Sequence, residues 1–185
     1  MSKKPVLTVA ALALSVGLAH AQTTLPSGPT SSASREASAK YQAIQSVRLS
    51  LPQAIDVAEA QGGEGGRAVE AEFERAERRE PARFEVKVLL ADGRLVEHSI
   101  DANTGQIYKT ANQPSGRYFT RLRPEDVRAA RTSLRQAIAT AEGLMGAGSR
   151  AIEAEIEREG DIVVIEVDVV TPDREQEFKI DARLR

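Results

Sequence analysis

Two runs of alternating glutamates are the residues in this sequence that are best suited to do chemistry. The runs consist of Glu70, Glu72, Glu74 and of Glu153, Glu155, Glu157. Carboxylates two residues apart on a strand share one face and lie about 6–7 Å apart, an arrangement that invites acid–base catalysis or metal binding. That separation is too long for one small ion unless neighbouring strands add ligands. The sequence therefore favours a solvated acidic sheet face, with cross-strand ion pairs to Lys87 or Arg94.

Other candidates for proton transfer or metal binding are few. Cysteine is absent, and one of the two histidines lies in the N-terminal segment discussed below. The other, His98, shares a strand face with Val96 and Ile100, which predicts a packing role rather than a catalytic one. Residues 101–105 begin like a calcium loop, but they lack its closing glutamate and are predicted to form a turn. We therefore predict no catalytic residue, no metal site and no cofactor, and we expect a protein that is not an enzyme.

The elements that position these residues follow from a change in hydrophobic period. Apolar residues at helical spacing predict a helix over residues 51–61, ended by Gly62. Alternation then predicts strands around Val69–Phe73 and Phe84–Leu90, and an Asp-Gly turn leads into a strand over Arg94–Asp101. The result is one helix packed on one face of an antiparallel sheet whose other face points outward.

The same pattern occurs twice. The matched pairs are residues 50–55 with 133–138, 67–75 with 150–158, 84–88 with 165–169, and 100–102 with 180–182. The first two pairs share a shift of 83 residues, which indicates a duplication. The second copy stops before the turn that precedes the last short strand of the first copy. It is therefore predicted to lack that strand and to leave an edge able to pair with another strand.

The first copy resembles the PepSY domain family. The likeness is carried by the strand FEVKV, the Asp-Gly turn and the segment IDANTGQIY, in which Asp101, Thr104 and Gly105 match the Asp-x-x-Thr-Gly turn of the family. The resemblance covers about residues 49–109 and, less completely, residues 132–183. PepSY domains are similar to part of peptidase propeptides and to the paired modules of a β-lactamase inhibitor. The resemblance therefore implies binding to, and restraint of, an enzyme such as a peptidase.

The N-terminal segment has the features of an export signal. A positively charged start and the short apolar run Val6–Leu18 precede Ala19-His20-Ala21, which predicts cleavage after Ala21. We therefore expect a periplasmic or secreted protein with no stable membrane insertion once the signal is removed. Residues 22–46 contain few large apolar side chains and are predicted to be a flexible linker.

These observations together predict an α+β protein of two tandem modules. Each module, over residues 47–111 and 132–185, has one helix on a three- to four-stranded antiparallel sheet, and residues 112–131 link them. The formal net charge of −2 gives no reason to expect nucleic acid as a partner. Whether the modules share one core, and whether the chain forms homo-oligomers, stays open at this point.

The expected function is protein binding, with regulation or inhibition of an envelope peptidase as the leading hypothesis. Two alternatives are a small-ligand or metal-ion sensor that uses the acidic sheet face, and a structural accessory protein that self-associates. Outward alternation on the strands predicts eight residues for contact with a protein partner. They are Glu72, Glu74, Glu85, Lys87, Glu155, Glu157, Glu166 and Asp168.

Overall fold

The computed structural model describes residues 31–114 and 122–183 of the 185-residue chain. The predicted export signal and cleavage site lie outside the described residues. Helices and antiparallel strands occur in separate runs along the chain, as the α+β prediction requires, so the fold class is confirmed. The helices are α1 (Ser31–Gln45), α2 (Leu51–Gly62), α3 (Pro124–Ala129) and α4 (Leu134–Met145). The strands are β1 (Arg67–Glu74), β2 (Arg83–Leu89), β3 (Leu95–Asp101), β4 (Ile107–Gln113), β5 (Arg150–Glu159), β6 (Ile162–Val170) and β7 (Glu175–Asp181).

All seven strands belong to one antiparallel sheet in the order β4-β3-β2-β1-β5-β6-β7. The two halves of the chain meet where β1 pairs with β5, which we call the seam. Helices α2 and α4 pack on the same face of the sheet, and the buried apolar side chains form one continuous cluster. The two halves therefore share a single core, because the sheet and the apolar cluster both continue across the seam.

The seam relates the two halves by a half-turn. Ala71 and Ala154 are equivalent at the 83-residue shift, and they face each other directly across β1 and β5. Both are fully buried under the helices. Equivalent residues that pair with each other lie on a two-fold axis, as they do in the interface of a symmetric dimer. The second half thus repeats the first in the opposite orientation within one sheet.

Helices α2 and α4 begin with the same capping arrangement. The backbone N–H of Ser50 donates to the Gln53 side-chain oxygen at 2.8 Å, and the N–H of Ser133 donates to that of Gln136 at 2.9 Å. These bonds satisfy a backbone donor at each helix N-terminus. The predicted helix starts are confirmed in both halves, and the glycines Gly63 and Gly146 follow the helix ends.

Each helix is also tied to the first strand of its half. The Glu59 carboxylate accepts a hydrogen bond from the backbone N–H of Ala68 at 2.9 Å, beside a bulge in β1. The Glu142 carboxylate accepts the equivalent bond from Ala151 at 2.8 Å, beside the matching bulge in β5. A backbone donor left unpaired by each bulge is thereby satisfied.

The prediction of a flexible linker over residues 22–46 was wrong for residues 31–45, which form α1. This helix contacts β5 and β6, and Ala37 and Ile44 are only 2% and 4% exposed. These two residues lie seven apart, on one face of the helix, and Tyr41 packs beside them. Composition hid this face, because serine, alanine and charged residues fill the remaining positions.

The predicted linker over residues 112–131 also contains ordered structure. Strand β4 continues to Gln113, and α3 spans Pro124–Ala129 as a helix separate from α4. Val127 is fully buried, and Asp126 forms an ion pair with Arg158 of β5. These contacts fix α3 on the second half. Within the part of the chain that the structure describes, no helix is both long and apolar enough to cross a membrane.

Candidate functional site

The eight predicted contact residues all lie on the sheet face opposite α2 and α4, which we call the outer face. Strand alternation explains this placement: Phe84 and Val86 of β2 are fully buried toward the helices, whereas Glu85 and Lys87 point outward and are partly exposed. The same alternation holds on β1, β5 and β6. The sequence therefore placed these side chains on the correct face of the sheet.

Five carboxylates form a continuous line across the outer face, which we call the acidic row. Taken from β2 through β1, β5 and β6 to β7, its members are Glu85, Glu72, Glu153, Asp168 and Glu177. Each is directly opposite the next, and like charges in that position repel each other. Ser99 of β3 continues the line on one side, followed by Lys109 of β4.

A second line lies beside the first and contains both signs of charge, so we call it the mixed row. From β3 to β7 its members are Glu97, Lys87, Glu70, Glu155, Glu166 and Lys179. Lys87 bonds both oxygens of Glu70 at 2.6 Å, and Lys179 lies 2.5 Å from Glu166. The predicted cross-strand pair to Lys87 is thus present, whereas Arg94 pairs with Asp92 in its own turn.

A rotation by the half-turn at the seam superposes the mixed row on the acidic row. The two rows therefore differ in charge at only two pairs of equivalent positions. Lys87 of β2 corresponds to Asp168 of β6, and Lys179 of β7 corresponds to Ser99 of β3. Both lysines therefore lie in the same row. The backbone is close to symmetric on this face, and the charge is not.

Proton affinity is raised along the acidic row. Burial raises the pKa of Glu153 to about 7, and the nearby charges of Glu72, Asp168 and Glu70 act in the same direction. Burial also raises the pKa of Glu72 and of Asp168, again with help from neighbouring carboxylates. Repulsion and partial loss of water both disfavour the ionised form. At neutral pH the Glu153 carboxyl group is therefore partly protonated.

Helix α1 lies beside the part of the acidic row that β5 and β6 contribute. Lys40 of α1 bonds the Glu175 carboxylate at 2.7 Å, and its charge partly offsets the repulsion at Glu153. A cavity of about 160 Å³ lies at this place, with Glu72, Glu153 and Lys40 in its lining. The outer face is thus partly covered next to the seam, which the sequence-based prediction did not include.

The remaining two predicted residues lie toward the strand ends. Glu74 is opposite Arg83, and Glu157 is near Glu159 and Glu166, with carboxylate oxygens of these three within 4.8 Å of one another. Such a group of oxygens could ligate a cation. However, the Lys179 ammonium bonds both Glu159 and Glu166 and supplies the compensating positive charge. This arrangement argues against the metal-ion alternative at that cluster.

His98 and the 101–105 turn have structural roles. His98 is 5% exposed on the helix side of the sheet, its Nδ1 lies 2.9 Å from the Thr110 hydroxyl, and burial lowers its pKa. The Asp101 carboxylate accepts bonds from the backbone N–H groups of Asn103 and Thr104 at 2.9 and 2.8 Å. Gly105 follows with φ of 72°, a conformation that favours glycine. The predictions of a packing histidine and a turn agree with this geometry.

Sequence reasoning missed four residues that shape the outer face: Lys40, Glu153, Glu177 and Lys179. Glu153 belonged to a recognised glutamate run, but its position beside Glu72 depends on the seam pairing, which is not local in sequence. Alternation in the segment EQEFKID was a usable signal for Glu177 and Lys179. For Lys40, the signal was the helical spacing of Ala37, Tyr41 and Ile44.

Residues 48–110 match the family model described as peptidase propeptide and YPEB domain, PepSY. This part of the chain is therefore similar to a PepSY domain. The match spans α2, β1–β3 and the first part of β4, so it includes one side of the seam, and it ends before α3. The interpretation of residues 132–185 as a second PepSY-like module stays a prediction.

One solved structure is similar to a larger part of the chain. It is a crystal structure of a protein of Clostridium difficile described as a "putative lipoprotein", with 19% sequence identity and a TM-score of 0.40. The similarity covers 74% of this chain and 88% of that protein. No curated protein sequence matches the chain significantly.

Proposed function

We propose that this chain is an exported, non-enzymatic protein that binds a peptidase of the cell envelope and regulates or inhibits it. The observation that carries the proposal is the match of residues 48–110 to the PepSY family, because that family is described by its occurrence in peptidase propeptides. In this proposal the peptidase is a separate polypeptide, which the chain binds through its surface.

The outer face supplies a surface suited to such a partner. Its charge is concentrated in the acidic row, where Glu85, Glu72 and Asp168 are partly exposed and no lysine lies among the five carboxylates. Electrostatic complementarity of this kind favours specificity and rapid association more than affinity. The partner surface would therefore carry arginine or lysine side chains opposite the acidic row.

The test is capture by the mature chain, residues 22–185, from an extract of the envelope fraction, with bound proteins identified by mass spectrometry. The proposal expects enrichment of a peptidase, followed by slower cleavage of a standard substrate when the mature chain is added to the purified peptidase. A variant with Glu85→Lys and Asp168→Lys should lose most of the capture, since both changes reverse charge on the outer face.

A matched control is Glu64→Lys, which reverses an exposed charge in the loop between α2 and β1, away from the outer face. It should retain the peptidase. Recovery of the bait alone, at a mass that shows self-association, would instead support the structural accessory alternative. A rise in melting temperature with divalent cations, absent from a Glu166→Gln variant, would support the ion-sensor alternative.

A further inference from the structure

Strand β7 is the last strand of the sheet among the described residues, and its counterpart in the first half is not at an edge. β7 corresponds to β3, and β3 is covered by β4. The residues of β3 are accordingly better buried: Ile100 is fully buried, whereas the equivalent Ile180 is half-buried. Among the described residues no strand pairs with the other side of β7, whose backbone groups are therefore placed as in an edge strand.

The pairing of β4 with β3 shows how a strand can lie on this edge. Ile107 is opposite Ile100 and packs against the common core, and Ala111 is opposite Glu97. In the repeat, Ile100 corresponds to Ile180 and Glu97 corresponds to Glu177. A strand added to β7 in the same way would therefore place one residue opposite Ile180 and another opposite Glu177. An added strand would therefore run antiparallel to β7 and place an apolar side chain next to Ile180.

The charges at the β7 edge indicate which charged side chains an added strand would carry. The acidic row is followed on the β4 side by Lys109, but on the β7 side it ends with the exposed Glu177. In the described part of the chain, Lys179 lies 3.7 Å from Glu177, and that lysine is bonded to Glu159 and Glu166. A lysine or arginine opposite Glu177 would thus complete the row as Lys109 does at the other end.

We infer that the open edge of β7 binds an extended segment of a partner protein by strand addition. The segment carries an apolar residue opposite Ile180, a basic residue opposite Glu177 and an acidic or polar residue opposite Lys179. Backbone hydrogen bonds provide the attachment, and the alternating side chains provide the selectivity. This inference rests on the proposed protein-binding function and assigns it a second surface, the β7 edge, at which the acidic row ends.

The test uses two nine-residue peptides based on residues 105–113, the segment that contains β4. The matched peptide carries Lys109→Glu and Ala111→Lys, and its twin keeps Lys109 and carries Ala111→Glu. The two have the same composition and net charge and differ only in the order of one lysine and one glutamate. In the matched peptide the glutamate faces Lys179 and the lysine faces Glu177, and in the twin both pairings are reversed. Binding of labelled peptide to the mature chain is followed by fluorescence anisotropy at low salt.

We expect the matched peptide to bind about 3- to 10-fold more tightly than its twin, as cross-strand charge pairs allow. The exposed change Glu177→Lys should abolish this preference. Hydrogen exchange should show new protection in β7 and unchanged protection in β4. The inference would be overturned if the two peptides bound equally, if protection appeared at β4, or if no binding occurred at millimolar peptide. It would also be overturned if protection of β7 rose with protein concentration alone, because that would indicate pairing between two copies of the chain.

The outcome is separable from that of the proposed function. If the peptidase is captured and inhibited equally by the mature chain and by Glu177→Lys, and the peptides do not discriminate, the function stands and the strand-addition site fails. If the peptides bind as expected and no peptidase is captured, the edge is a protein-binding site with a different class of partner.

Discussion

At the residue scale, the Asp101 carboxylate organises the turn that carries the resemblance to the PepSY family. One of its oxygens accepts three bonds, from the backbone N–H groups of Asn103 and Thr104 and from the Thr104 hydroxyl at 3.1 Å. These bonds lower the pKa of Asp101. The equivalent Asp181 accepts a bond from the backbone N–H of Arg183 at 2.8 Å. The first half therefore depends more on its aspartate than the second.

Replacement of the turn aspartate should expose this difference. We expect Asp101→Ala to lower the free energy of unfolding by about 1–3 kcal/mol, because backbone donors lose a charged acceptor. Asp181→Ala should cost less. Because the folded state lowers the pKa of Asp101, its contribution is present above the ordinary pKa of 3.8 and is lost as pH falls through the lower folded value.

Urea denaturation at pH 7 and at about pH 2 measures both effects, with the wild-type chain as reference. The difference in the free energy of unfolding between wild type and Asp101→Ala should be smaller at the lower pH. An equal cost of Asp101→Ala and Asp181→Ala at pH 7 would contradict the account of the turn.

Glu153 gives a prediction of opposite sign. Its pKa of about 7 in the folded state lies above the ordinary value of 4.5, so the folded state holds the proton more tightly. Stability should therefore decrease as pH rises from about 4.5 through 7. Glu153→Gln removes the buried charge and should stabilise the chain at pH 8 by about 1 kcal/mol, after solvent screening of the repulsion.

Thermal denaturation at pH 5 and pH 8 tests this prediction, and Glu70→Gln serves as control. Glu70 lies beside Glu153 on the outer face, but it is bonded to Lys87. Its replacement removes the two hydrogen bonds from Lys87 and should give no stabilisation at pH 8. A melting temperature of Glu153→Gln that is unchanged at pH 8 would show that the acidic row is better solvated than its burial indicates.

At the element scale, α1 is the main departure from what the sequence predicted. Helices α2 and α4 were predictable because serine caps, glycine stops and one-sided apolar spacing agree locally. The strands were predictable from their alternation. Helix α1 buries few large side chains, so its stability comes from contacts with distant strands and not from its own composition. The seam was unpredictable for the same reason, since β1 and β5 are far apart in sequence.

The contribution of α1 can be measured at one buried position. Ile44 is 4% exposed and belongs to the common core, so Ile44→Ala should lower the free energy of unfolding by about 2–4 kcal/mol. Gln42→Ala, on the exposed side of the same helix, should change it by less than about 0.5 kcal/mol. Chemical denaturation followed by circular dichroism distinguishes the two. Equal, small effects would mean that residues 31–45 contribute little to the fold.

At the scale of the whole molecule, one sheet and one core predict one cooperative unfolding unit. The sequence left open whether the halves behave as separate modules, because a repeat does not determine how its copies pack. The fully buried Ile165 lies in the second half, on β6. If the core is shared, its truncation must weaken the first half as well.

Hydrogen exchange with mass spectrometry tests this coupling. Ile165→Ala should accelerate exchange to a similar extent in β2 of the first half and in β6 of the second. Leu144→Ala, at a side chain that is 66% exposed on α4, should leave both rates near those of the wild type. Faster exchange confined to β5–β7 would indicate two independently unfolding modules.

The half-turn at Ala71 and Ala154 has a consequence for how any ligand is oriented on the outer face. A symmetric surface offers two equivalent poses, rotated by 180°, and a partner bound to it would be found in both. Here the two lysines, Lys87 and Lys179, lie in one row only. A partner with a single basic stripe therefore meets favourable charge in one pose and repulsion in the other. The repeat gives the outer face two similar halves. The differences at two positions make the two poses unequal, so a partner would bind in one orientation.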